Sequence, residues 1–161
     1  MKVKLAVLTL AFFITITVKG QNLFFIGENS FPCTETLTFQ SNADDSDDLN
    51  VLFAKDGDTA LIAVIAQSSI RLIFSERLII YLEDGSVITS NQRKVYDYVD
   101  NLSKAAYLLT DEQLTKLKTS NIHTIRYSLE LRHSDGELML ERSRTASNKG
   151  ISTKTIIKNF F

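Results

Sequence analysis

Residues 125–141 read IRYSLELRHSDGELMLE. Ile125, Tyr127, Leu129 and Leu131 alternate with Arg126, Ser128, Glu130 and Arg132. That period of two is the mark of a strand with one face in a core and one in water. Asp135-Gly136 follows, and Asp-Gly between β-type runs is the strongest short-range hairpin signal. A two-residue turn there sets Leu131 opposite Leu140 and His133 opposite Leu138, so the apolar faces agree. It also sets Glu130 opposite Glu141, an unfavourable pair unless Arg132 screens it.

Two further Asp-Gly dipeptides extend the plan. At Asp56-Gly57, the run Val51–Ala54 pairs with Thr59–Ile62, and Lys55 faces Asp58. Both phases of these two runs are apolar, so the strands are expected to be central and covered on both sides. At Asp84-Gly85, Leu78–Leu82 pairs with Val87–Thr89. One helix is clear: Thr110-Asp111-Glu112-Gln113 is a capping box, followed by Leu114 and Leu117 on one face and by Lys116 and Lys118 in the last turn. The spacing predicts a helix over 111–119. Residues 94–104 fit a helix or a strand, and 105–109 lead into the helix as a strand. The fold class read from this pattern is α+β: a predominantly antiparallel β-sheet built from hairpins, six to eight strands, with one or two short helices packed on it.

The chain has 161 residues, 18 Lys+Arg, 19 Asp+Glu, two His and one Cys. Residues 1–20 read MKVKLAVLTLAFFITITVKG, with Lys2 and Lys4 ahead of an uncharged apolar run from Leu5 to Val18 and then a small-residue end at Gly20. This is the layout of a cleavable signal peptide. The run is too short for a bilayer-spanning helix, which needs about 20 residues. The expected organisation is therefore a signal peptide, 1–20, and one domain, 21–161, secreted or periplasmic, with no integral membrane span in the mature chain. Removing residues 1–20 takes away Lys2, Lys4 and Lys19 and no acid, leaving 15 bases against 19 acids, a net charge of −4. Such a balance argues against a nucleic-acid partner, which demands phosphate neutralisation. Charge is polarised: residues 21–60 hold eight acids and one base, and residues 142–161 hold five bases and no acid. The two ends are placed to attract each other or to face different partners. Ile151, Ile156, Ile157, Phe160 and Phe161 among those bases suggest a last strand with one solvated face.

Candidate chemistry is sparse. Asp44, Asp45, Asp47 and Asp48 could give a hard cation such as Ca²⁺ its oxygen ligands, with Asp56 and Asp58 swinging in, although no frame satisfies an EF-hand loop. A solvated turn before the first core strand is the plain alternative. His123 and His133 fall in one predicted strand, about 33 Å apart, too far to share a metal. Both sit in its inward phase, where partial burial is expected. Cys33 reads as a small buried apolar residue. No nucleophile elbow, zincin, dinucleotide or phosphate-loop motif is present, and no catalytic residue or cofactor is expected. The functional expectation is an exported non-catalytic binding or structural module of the cell envelope, with a protein or envelope partner. The alternatives are a small secreted or periplasmic enzyme whose carboxylates converge from separate loops, and a cation-binding domain using the 42–58 acidic loop.

Overall fold

The computed structural model describes residues 22–44 and 47–161, so the segment read as an export signal lies outside the described residues. Along the chain come β1 (Asn22–Ile26), β2 (Asn29–Cys33), β3 (Leu37–Ser41), β4 (Leu49–Asp56), β5 (Thr59–Gln67), β6 (Ile73–Leu82), β7 (Val87–Ser90), β8 (Arg93–Val99), β9 (Leu102–Leu109), α1 (Asp111–Thr119), β10 (Ile122–Arg132), β11 (Leu138–Ser147) and α2 (Thr153–Phe160). The fold is α+β, mostly antiparallel sheet with two short helices. Eleven described strands exceed the six to eight expected, because β1, β2 and the β8–β9 hairpin were not legible as separate strands.

The strands run β7-β6-β10-β11-β3-β4-β5-β9-β8 in one sheet that curls into a nearly closed barrel, with the β1–β2 hairpin attached through β4. β4 and β5 are covered on both faces, as their doubly apolar runs predict. Val51, Phe53, Ile62 and Val64 face the main core, whereas Leu52, Ala54, Leu61 and Ala63 face a second core under β1–β2 with Phe24, Ile26 and Phe31.

The two ends of the strand path, β7–β6 and β9–β8, do not close through a backbone ladder. Side chains close them instead. The Tyr107 hydroxyl donates to the Ser75 carbonyl at 2.6 Å. Ser103 Oγ donates to the Leu72 carbonyl and Arg93 to that of Phe74. Those carbonyls lie at the start of an irregularity in β6 between Phe74 and Leu78, where the register against β10 shifts.

The Asp-Gly hairpins form, with different loops from those expected. In β4–β5, Asp56 pairs with Thr59, so the turn is Gly57-Asp58 and Lys55 faces Ala60, not Asp58. Glycine takes the first corner because φ there is +58°, a region that Cβ-bearing residues avoid. In β6–β7 and β10–β11 the loops have three residues. Leu82 N–H bonds to Ser86 O and Gly85 N–H to Leu82 O; His133 N–H bonds to Glu137 O and Gly136 N–H to His133 O. In each, the Asp before the glycine accepts the N–H of the residue after the glycine, Asp84 from Ser86 and Asp135 from Glu137. The β10–β11 register is as read from Glu130/Glu141 and Leu131/Leu140 backwards, but a bulge then sets Arg132, not His133, opposite Leu138. Arg132 reaches Glu130 at 2.8 Å and offsets the paired acids.

The 94–104 stretch resolves as strand, turn and strand: Asp100 and Asn101 both take positive φ between β8 and β9. α1 occupies the predicted range with both capping-box bonds. The expected last strand is instead α2, whose Ile157 is fully buried. Thr153 Oγ1 accepts the Ile122 N–H at 2.8 Å and so ties the helix start to β10. α1 and α2 pack together over one end of the barrel. The Lys55 ammonium sits over the Phe160 ring there, 4.8 Å from its centroid.

Candidate functional site

The end of the barrel away from the helices is open, and its lining follows from the phase of β11. Leu129 pairs with Arg142, Tyr127 with Arg144 and Ile125 with Ala146. Directly paired residues project from the same face of a sheet. Ile125, Tyr127 and Leu129 belong to the main core, so Arg142 and Arg144 occupy core-phase positions. Charged groups are costly there unless they reach water or a partner. The opening lets them do so. They line a cavity of about 230 Å³ with Tyr127 and Leu129 on one wall. Gln67 at the end of β5, Ser68, Ser69 and Leu72 from the β5–β6 loop, Asn101 from the β8–β9 turn, and Asp47 complete it.

Tyr127 is only 3% exposed, and its ring packs on Phe74 with centroids 5.4 Å apart. Its hydroxyl makes no hydrogen bond to a described residue. Every fully buried polar side-chain atom among the described residues does have a partner, so this oxygen meets the cavity and not packed protein. Burial pushes the Tyr127 hydroxyl up to about 12, with Asp48 adding to the shift and Arg144 opposing it. The group therefore stays protonated and able to donate at neutral pH.

The rim is polar. Ser68 Oγ is turned to the Ile70 carbonyl at 2.7 Å. Asn101 Oδ1 accepts from Tyr98 at 3.2 Å, which leaves the amide nitrogen of Asn101 as a donor. The convergent groups are thus mainly donors, two of them cationic, with Asp47 as the acid on the wall.

The residues singled out in the sequence lie elsewhere or serve differently. Asp44 is exposed, Asp45 lies outside the described residues, and Asp48 accepts the Ser41 N–H at 2.9 Å. Asp47 borders the mouth. Among the described residues no group of three or more potential metal ligands assembles. Residues 42–58 are not one loop: β4 fills 49–56 and carries Asp56 and Asp58 to the opposite end, about 25 Å away. Asp56 pairs there with Lys94.

Cys33 is buried in the second core, as expected, and burial raises its thiol, which disfavours the thiolate. Neither histidine is in that core. Both were expected to be partly buried, and both are exposed. His123 is the residue skipped by a bulge between Ile122 and Thr124, and His133 lies beyond the end of β10. The acidic beginning and basic end do meet, since β3 pairs with β11 and Asp47 shares the cavity with Arg142 and Arg144.

No family model, curated protein or solved structure matches this chain.

Proposed function

We propose that the chain is an exported, non-catalytic binding module of the cell envelope and that the open mouth of the barrel is its binding site. The observation that carries this reading is the pair of arginines on the core phase of β11, beside a buried tyrosine hydroxyl that has no hydrogen-bond partner among the described residues. A barrel built only for stability would place apolar side chains at these positions. Donors held on rigid strands around an open cavity suit recognition. The export part of the proposal rests on the charged, apolar and small-residue layout of residues 1–20.

Affinity capture from the envelope fraction of the source cells tests the proposal. The wild-type chain should retain a partner or ligand that a variant carrying Arg142→Ala and Arg144→Ala does not. Equal retention by both would move binding away from the mouth, and retention of nothing would defeat the reading.

The enzyme alternative has one observation in its favour. Glu130 and Glu141 are directly paired on β10 and β11 and both border a second cavity of about 280 Å³ on the outer face. Arg132 Nε and Nη2 both bond the same Glu130 oxygen at 2.8 Å, which engages that carboxylate as a structural partner. Hydrolytic activity abolished by Glu141→Gln would reinstate the enzyme.

A further inference from the structure

Resting on the reading of the mouth as a binding site, the geometry points to the chemical class of its ligand: a small molecule bearing an oxyanion, seated against Arg142 and hydrogen-bonded by the Tyr127 hydroxyl.

Size comes first. A cavity of about 230 Å³ holds roughly eight water-sized volumes at about 30 Å³ each. That is room for a carboxylate or phosphate with a few further atoms, and too little for a folded chain to enter. Charge and hydrogen-bonding capacity come next. Arg142 makes no ion pair with a described residue, is exposed on the cavity side, and offers a planar fork matched to two oxygens of one anion. Tyr127, protonated at neutral pH, is a donor in the lining with no acceptor among the described residues. Ser69, Gln67 and the Asn101 amide nitrogen add donors around the rim. Arg144, directly across from Tyr127, adds positive potential whatever else it contacts. Asp47 is the acid in the wall, placed to accept from hydroxyls on the body of the ligand. An oxyanion satisfies Tyr127 and Arg142 at once; a neutral sugar would leave the guanidinium without a counter-charge.

The test is calorimetric and NMR titration of the full chain with inorganic phosphate, D-glucuronate and, as the neutral counterpart, D-glucose. At least one anion is expected to bind saturably at one site and to weaken with added salt, while glucose does not. Phosphate alone, or glucuronate alone, identifies the source of the oxyanion. Arg142→Ala should weaken binding about tenfold or more, the loss expected for a charge-assisted contact. Tyr127→Phe, which keeps the ring and the packing on Phe74, should weaken it about fivefold. The circular-dichroism spectrum and melting temperature of each variant report that the barrel is intact. No saturation by either anion at millimolar concentration overturns the assignment, as does binding that both variants retain in full. Glucose binding without anion binding would keep the mouth as a binding site and remove the anion from it.

Discussion

The hydroxyl of Tyr107 is predicted to hold the barrel shut, and Tyr107→Phe isolates its contribution. The side chain is fully buried in the main core, and its hydroxyl donates at 2.6 Å to the carbonyl of Ser75, itself only 8% exposed. The substitution keeps the ring and removes one oxygen. The space left is smaller than the roughly 30 Å³ share of a water, so no solvent molecule replaces the donor. The Ser75 carbonyl is then buried without that partner, and the cost is that of an unsatisfied group, about 1–3 kcal/mol, not merely that of an average exchanged bond. The expected loss is about 2 kcal/mol in urea unfolding at 25 °C with an unchanged m-value, and a fall in Tm of about 6 °C for a domain of this size. Tyr98→Phe is the control. Its hydroxyl also donates to a backbone carbonyl, that of Ser68 at 2.9 Å, but in a part-buried setting where water can substitute. That variant should lose under about 1 kcal/mol. A Tyr107→Phe loss below about 0.5 kcal/mol, or no larger than that of Tyr98→Phe, would refute the claim that side-chain donors close this barrel. A second check is coupling with Ser103→Ala, whose Oγ donates to the Leu72 carbonyl on the same seam. The two losses should be non-additive, because opening either point admits water to the other.

Thr110→Ala should cost about 1 kcal/mol in thermal or urea unfolding, because the Gln113 N–H loses its acceptor at 3.2 Å at the cap of α1; a change under about 0.2 kcal/mol would mean that the cap carries no stability. Leu52→Ala should cost about 3 kcal/mol and expose the β1–β2 amides to hydrogen exchange, since Leu52 belongs to the second core and not to the barrel interior. Protection of those amides equal to wild type would show that the hairpin is held otherwise. Alkaline pH should unfold the protein through its buried tyrosines. Burial raises Tyr107 and pushes Tyr127 up to about 12, so the folded state keeps protons that the unfolded chain releases from about pH 10. Stability is full below that point and falls by about 1.4 kcal/mol per pH unit for each such tyrosine as pH rises toward 12. The slope in Tyr127→Phe should be shallower than in wild type, and equal slopes would contradict the burial.

Features carried by local chemistry were legible before the structure. The capping box fixes the start of α1 because both of its bonds lie within four residues. Alternation fixes the β10–β11 register because a slip by one residue would turn Ile125, Tyr127 and Leu129 into water. What failed depends on tertiary context. Asp-Gly marked each turn, but the corner that needs positive φ decides the loop. Gly57 takes the first corner of its turn, whereas Gly85 and Gly136 close three-residue loops after a shared Asp side-chain bond. The terminal segment, 151–161, interleaves apolar and basic residues, which points to a strand, although Ile156, Ile157 and Phe160 also have helical spacing. Its helix is selected by the barrel end it covers, with the Ser152 side chain making no cap hydrogen bond.

The mouth sits between these cases. The register that sets Leu131 against Leu140 also sets Arg142 against Leu129 and Arg144 against Tyr127, so two arginines on a core phase were already implied by residues 125–144. Guanidiniums persist on such a phase only where they reach solvent or a partner. Their position therefore locates the opening of the barrel along β11: beyond Ala146 the strand reaches the end that the helices cover, and at Arg144 and Arg142 it reaches the open one. The state of the Tyr127 hydroxyl could not be read in the same way. Lacking a partner is a property of everything packed around the group, which only the assembled barrel defines. The arginines thus mark where a ligand would enter, and the Tyr127 hydroxyl, without a hydrogen-bond partner among the described residues, marks how deep it would reach. Arg142→Ala and Tyr127→Phe separate the two: the first should act on charge and salt dependence, the second on affinity with the salt dependence unchanged.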